Sequence, residues 1–177
     1  TLEGLCMGRR LAGGMGMMAL VVVACSRMVQ ADNAETTRLA ELDALWGTIS
    51  KAVATGDFEA YAATCHPDGV LVIGRRQRTE PLAVALQRWQ KEFDDTRAGR
   101  MKASASLRWA TRYGDATTAY EVGILRYASQ PTGGEEQVEY VDIEVVLVKR
   151  DDGWKVTCEN QKGVTTEKAW NALAPTK

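Results

Sequence analysis

The hydrophobic period of this chain changes once, near residue 100, and that change constrains the fold most. Before it, apolar residues recur at helical spacing: Leu39, Leu42, Leu45, Trp46, Ile49 and Val53 share one helix face. After it, the period is two. Met101, Ala103, Ala105, Leu107 and Trp109 alternate with Lys102, Ser104, Ser106 and Arg108. Helices first and long antiparallel strands afterwards predict an α+β fold, with helices on one face of a curled sheet.

Punctuation fills in the order. Asp32 or Asn33 is positioned to cap the first helix, and Gly56 to end it. Asp57 opens a short second helix carrying Phe58, Tyr61, Ala62 and Cys65, broken by Pro67-Asp68-Gly69. Val70 to Ile73 reads as a strand. Thr79 and Pro81 open a third helix with the stripe Leu82, Leu86, Trp89 and Phe93. Gly114-Asp115 reads as a two-residue turn. Pairing Tyr113 with Ala116 then sets Leu107 opposite Val122, Trp109 opposite Tyr120, and Arg108 opposite Glu121. Ser129 to Glu136 is a loop, Gln137 to Lys149 a long strand, and Trp154 to about Lys162 the last strand. Residues 164–177 form a tail, in which Thr166 to Ala174 reads as a short helix that docks Trp170 on the body.

The first thirty-one residues read as an address. Arg9 and Arg10 precede an apolar stretch from Leu11 to Cys25, too short for the roughly 20 residues a bilayer span needs. Val29-Gln30-Ala31 resembles a cleavage site. Val22-Val23-Ala24-Cys25 resembles a bacterial lipobox, with Cys25 as lipid anchor. The competing reading is an N-terminal helix of the fold, against which stand Gly13, Gly14 and Gly16. The expectation is therefore a signal segment at 1–31, a domain at 32–163, and a product that is periplasmic, secreted or lipid-anchored in a bacterium. In an oxidising compartment Cys65 and Cys158 are candidates for a disulfide, or else remain two buried thiols.

Composition excludes several function classes. Lys and Arg total 22 against 23 Asp and Glu, so no basic excess marks a nucleic-acid track. A single histidine excludes a multi-His metal site. Phosphate cradles, Cys-x-x-Cys pairs and nucleophile elbows are missing from the sequence. No metal or cofactor is expected.

Four stretches together carry a family resemblance: Ala54-Thr55-Gly56-Asp57, Cys65-His66-Pro67-Asp68-Gly69-Val70-Leu71-Val72, the strand meander, and Lys149-Arg150-Asp151-Asp152-Gly153-Trp154-Lys155-Val156. Over residues 36–163 the chain resembles the nuclear transport factor 2-like superfamily, particularly its SnoaL-like and ketosteroid-isomerase-like bacterial members. The resemblance implies a cone: a curved antiparallel sheet wrapped around the long first helix, with a small-molecule pocket at the open end. It also implies a homodimer through the outer sheet face. The fold serves enzymes and association domains alike, so it does not name the function. The isomerase branch implies a tyrosine where Ile49 stands, an aspartate where Ile73 stands, and a second acid at Val145 or Glu144. Two of those three roles are lost.

Strand pairing sharpens the candidate residues. If Arg150 opposes Trp154, then Val148 faces Val156, Val146 faces Cys158 and Glu144 faces Asn160. A shift by one would oppose Glu144 to Glu159, a like-charge pair. This register groups Asp142, Glu144, Cys158 and Asn160 on one side, and Val141, Ile143, Val145 and Leu147 on the other. Either side has a claim to the cone interior. Asp142 and Glu144 are the candidate acid/base groups if buried, or solvated carboxylates if not. The last strand of SnoaL-like relatives often carries histidines where Cys158 and Asn160 stand here. Asn160, Cys158, Tyr120, Trp109 and His66 are the candidate ligand contacts. Tyr61, Trp89, Trp109 and Tyr120 read as ligand-stacking rings or as core. His66 is a proton carrier at the pocket mouth or a helix cap. Arg75-Arg76-Gln77-Arg78 is an anion-attracting or merely solvated loop. The expected activity is binding of a small, largely apolar organic molecule. An acid/base enzyme and a non-catalytic association domain are the alternatives.

Overall fold

The computed structural model describes residues 16–175, with side chains described from Asn33 onward. Thr1–Ala34 and Glu35–Lys177 are two separate compact units. The basic start of the expected signal segment, Arg9 and Arg10, lies outside the described residues. Among the described residues no helix is long and apolar enough to cross a membrane.

Helix α1 runs Gly16–Thr55. Asp32 and Asn33 therefore lie inside a helix rather than capping one. From Glu35 onward its inner face buries Leu42, Trp46, Ile49, Ala52 and Val53. Gly56 ends it at φ +70°, where a Cβ would meet Arg97 N and Phe93 O at 2.4 Å. Only glycine combines that backbone with that approach. Asp57 caps α2 (Phe58–Ala62) by accepting from Ala60 N at 3.0 Å.

Strand β1 (Cys65–Ile73) begins earlier than the pattern suggested. Cys65 and His66 are strand residues, and Pro67-Asp68-Gly69 is an irregularity within β1 rather than its boundary. A 3-10 turn, Gly74–Arg76, leads into the short β2 (Arg78–Pro81). Helix α3 (Leu82–Arg97) follows directly from Pro81 and buries Leu82, Ala85 and Phe93. The long strands are β3 (Met101–Gly114), β4 (Thr118–Pro131), β5 (Gln137–Arg150) and β6 (Gly153–Val164). Helix α4 (Glu167–Ala172) closes the described chain, capped by Thr166. Trp170 docks as expected: Arg108 lies 4.5 Å over its ring and Tyr140 packs 6.0 Å from it.

The six strands form one sheet in the order β2-β1-β6-β5-β4-β3. It is mixed rather than wholly antiparallel, because β1 runs parallel to β6. It is curved and unclosed around the part of α1 from Glu35 onward, the cone expected from the sequence.

A longer turn and two bulges correct the predicted registers. The β3–β4 turn spans Asp115 to Thr117, held by the Asp115 carboxylate accepting from Thr117 N at 2.7 Å and Thr118 N at 2.8 Å. Tyr113 therefore pairs with Tyr120, and Arg112, not Arg108, pairs with Glu121. Ala110 is the bulged residue, after which Trp109 faces Gly123 and Leu107 faces Leu125. A Cβ on Gly123 would meet Arg108 O at 2.2 Å, so the bulge requires glycine there. In the closing hairpin Lys149 pairs with Trp154 and Leu147 with Val156; Thr157 is then bulged. The bulge restores the expected pairs Val146 with Cys158 and Glu144 with Asn160. Thr157 Oγ1 donates to Val146 O at 2.9 Å across the bulge.

Candidate functional site

A bulge reverses which alternate residues face inward. Trp154 and Val156 belong to the buried core on the inner face of β6. Past Thr157 the inward residues are Glu159 and Gln161, while Cys158 and Asn160 turn outward. On β5 the inner face is Val141, Ile143, Val145 and Leu147, packed into the core. Asp142 and Glu144 therefore stand on the outer face.

The inner face, α1, α2 and α3 enclose a cavity of about 290 Å³. Trp46, Tyr61, Trp89, Phe93 and Tyr127 supply its aromatic wall, and Ile49, Leu125, Val141, Ile143 and Val145 its aliphatic wall. Tyr61 meets Trp89 edge-on at 6.1 Å and Phe93 at 5.0 Å. Ile49 and Val145, two positions where isomerase chemistry would need polar groups, are apolar wall here.

Glu159 and Gln161 stand together within this wall. Glu159 receives a hydrogen bond from Gln161 Nε2 at 2.7 Å. Burial lifts its carboxyl above the ordinary carboxylate range, opposed only by that bond. Burial, then the Glu159 charge, raises the Tyr61 hydroxyl. Burial pushes the Cys65 thiol up to about 12, so it stays protonated and unreactive. Toward the exposed rim, Tyr127 Oη donates to Glu92 at 2.9 Å, and Arg75 pairs with Glu139 at 3.1 Å. Arg75, Arg76 and Arg88 line an adjoining groove that shares Glu139, Val141 and Gln161 with the cavity.

The candidates named from sequence divide between the faces. On the outer face Tyr120, Glu144, Cys158 and Asn160 do come together. Glu144 accepts from Lys162 Nζ at 2.8 Å and from Asn160 Nδ2 at 3.1 Å. Those bonds, Lys162 first and with Tyr120 contributing, hold its carboxyl below the usual range. An ionised, paired carboxylate of this kind is a poor proton donor at neutral pH. Trp109 faces inward but packs on Trp46 at 4.9 Å rather than lining the hollow. His66 is away from the cavity: its Nδ1 accepts from Asp68 N at 3.2 Å, and its Nε2 lies 3.1 Å from Arg150 Nη2. Cys65 and Cys158 are free thiols; the first lines the cavity and the second stands on the outer face. Among the described residues no cluster of His, Cys, Asp and Glu has metal-site geometry.

Beyond the cavity, a charged network joins α1 to β3 and β4. Glu121 is fully buried. It accepts from Trp46 Nε1 at 2.6 Å and from Arg112 Nε, while Arg112 Nη1 reaches Asp43 at 2.6 Å.

A helix cupped by a curved, unclosed sheet around a hollow defines a protein of the nuclear transport factor 2-like class, the superfamily expected from the sequence. Within that class, residues 38–161 match the calcium/calmodulin dependent protein kinase II association domain, and the chain belongs to that family. Solved structures share the fold. A nuclear transport factor 2-like superfamily protein from Salmonella enterica is 14% identical with a TM-score of 0.57, covering 76% of this chain and 96% of its own. A candidate association domain of the same kinase type from Xanthomonas campestris is 20% identical with a TM-score of 0.51, covering 68% and 83%. A protein of unknown function from Mycobacterium tuberculosis is 14% identical with a TM-score of 0.59, covering 80% of each. At these identities the likeness establishes the fold alone. A search of the curated proteins found no match.

Proposed function

We propose that this chain is an exported binding domain that holds a small, largely apolar organic molecule in the hollow of its cone. The observation that carries this reading is the cavity of about 290 Å³, walled by aromatic and aliphatic side chains with Glu159 and Gln161 as its inner polar contact. An apolar cavity of roughly 150 Å³ already admits benzene, so the space here suits a bicyclic ring. Export rests on the basic-then-apolar pattern of residues 7–31. Calorimetric titration of the purified protein with indole tests the pocket. Saturable one-to-one binding, at about 1 mM or tighter, is the expected result. No heat and no change in melting temperature at saturating indole would refute it.

A second reading, association through the outer sheet face, is favoured by the family match and by the surface itself. Val70 and Val146 are exposed there, flanking Cys158 between them in the β1–β6–β5 pairing. Light scattering on the purified protein should give twice the monomer mass, and Val146→Lys should return it to the monomer. A monomeric wild-type protein at concentrations of about 100 μM would count against a stable interface.

A further inference from the structure

The cavity that the proposed function rests on has a charge character that narrows its ligand. Three of its lining residues are acids: Glu159 within, and Glu92 and Glu139 at the exposed rim. None of its lining residues is a lysine, arginine or histidine. The two rim acids already have partners, Tyr127 and Arg75. Among the described residues Glu159 has one neutral partner, Gln161, and no salt bridge. A desolvated carboxylate without a cation destabilises the protein that carries it, and chains normally neutralise one with lysine or arginine. The same cavity is lined by the Tyr61, Trp89 and Phe93 rings, whose electron-rich faces attract cations and do not neutralise an acid by themselves. Carboxylate and aromatic faces around one hollow are complementary to a positively charged head on an apolar body.

We infer that the cavity takes an organic ammonium ion, with its charged head on Glu159 and its hydrocarbon or aryl body among Tyr61, Trp89 and Phe93. The inference deepens the pocket reading and depends on it. The adjoining groove of Arg75, Arg76 and Arg88 shares Glu139, Val141 and Gln161 with the cavity, so it offers a competing preference for anions that the test must separate.

Three probes of one skeleton do so: phenethylamine, phenethyl alcohol and phenylacetate, titrated into the purified protein at neutral pH and low salt. The amine should bind about tenfold more tightly than the alcohol, and phenylacetate most weakly. In Glu159→Gln the amine should lose that advantage. The wild-type ranking decides the question by itself if the variant folds poorly. Equal binding of amine and alcohol, or a preference for phenylacetate, would overturn the charge inference while leaving the pocket intact. Binding of none of the three would overturn the pocket reading and the inference with it. An amine preference that survives in Glu159→Gln would also overturn the assignment, by removing Glu159 as the receiving group.

Discussion

Arg112→Ala is expected to cost about 3–5 kcal/mol of folding stability, the loss typical of an ion pair broken by removing one partner inside a protein. Glu121 is fully buried, and among the described residues Arg112 is the one cation paired with it. Burial already drives the Glu121 carboxyl upward, and the Arg112 hydrogen bond and charge are the largest opposing influences. Without the guanidinium, Glu121 keeps only the Trp46 indole donor, and Asp43 loses its partner as well. Urea unfolding followed by circular dichroism measures the loss. Adding Glu121→Gln to the same chain should return much of it, because the neutral amide removes the unpaired charge. A cost below about 1 kcal/mol would place the pair among solvent-exposed bridges and contradict the burial described here.

The second large effect tests which side of β5 is interior. Leu147 is completely buried, and Leu147→Ala should cost about 2–5 kcal/mol through lost transfer energy and the void left behind. Its neighbour Val146 is 40% exposed on the opposite face, and Val146→Ala should cost under about 1 kcal/mol. Thermal unfolding of the two variants gives the comparison. Equal losses would mean that both faces of β5 are packed, and that the outer face is covered in solution.

These two residues also mark what the sequence discloses and what it hides. The helical stripe from Leu42 to Val53 was legible because a helix face repeats strictly, and the core follows it. The cone was legible from the switch of period and from motifs at the ends of elements. Gly56 and Asp57 end one helix and begin the next, as their chemistry predicts.

The bulges were not legible. Alternation fixes a strand's faces only until an extra residue intrudes, and nothing in Arg108-Trp109-Ala110-Thr111 or Val156-Thr157-Cys158 announces one. The longer Asp115–Thr117 turn moved the partner of Glu121 from Arg108 to Arg112, and the Ala110 bulge shifted the pairs beyond it by one residue. The second bulge moved Trp154 and Val156 onto the inner face while leaving Cys158 and Asn160 paired as expected, so the face they share with Glu144 was legible but its outward direction was not. The available signal was Glu159 itself, an acid in a strand otherwise entering an apolar core. Strand β2 was hidden for a different reason: Arg78-Thr79-Glu80-Pro81 has neither apolar alternation nor a free amide at its end, yet edge pairing with β1 suffices to hold it.

The central claim is that the hollow exists and is open to a ligand. The most direct measurement is a crystal structure of the purified protein soaked with indole. A ring is expected among Tyr61, Trp89, Phe93 and Leu125, with its nitrogen directed to the Glu159–Gln161 pair. A structure in which Tyr61 and Trp89 rotate inward to fill the space, with indole absent or bound only on the outer sheet face, would contradict it.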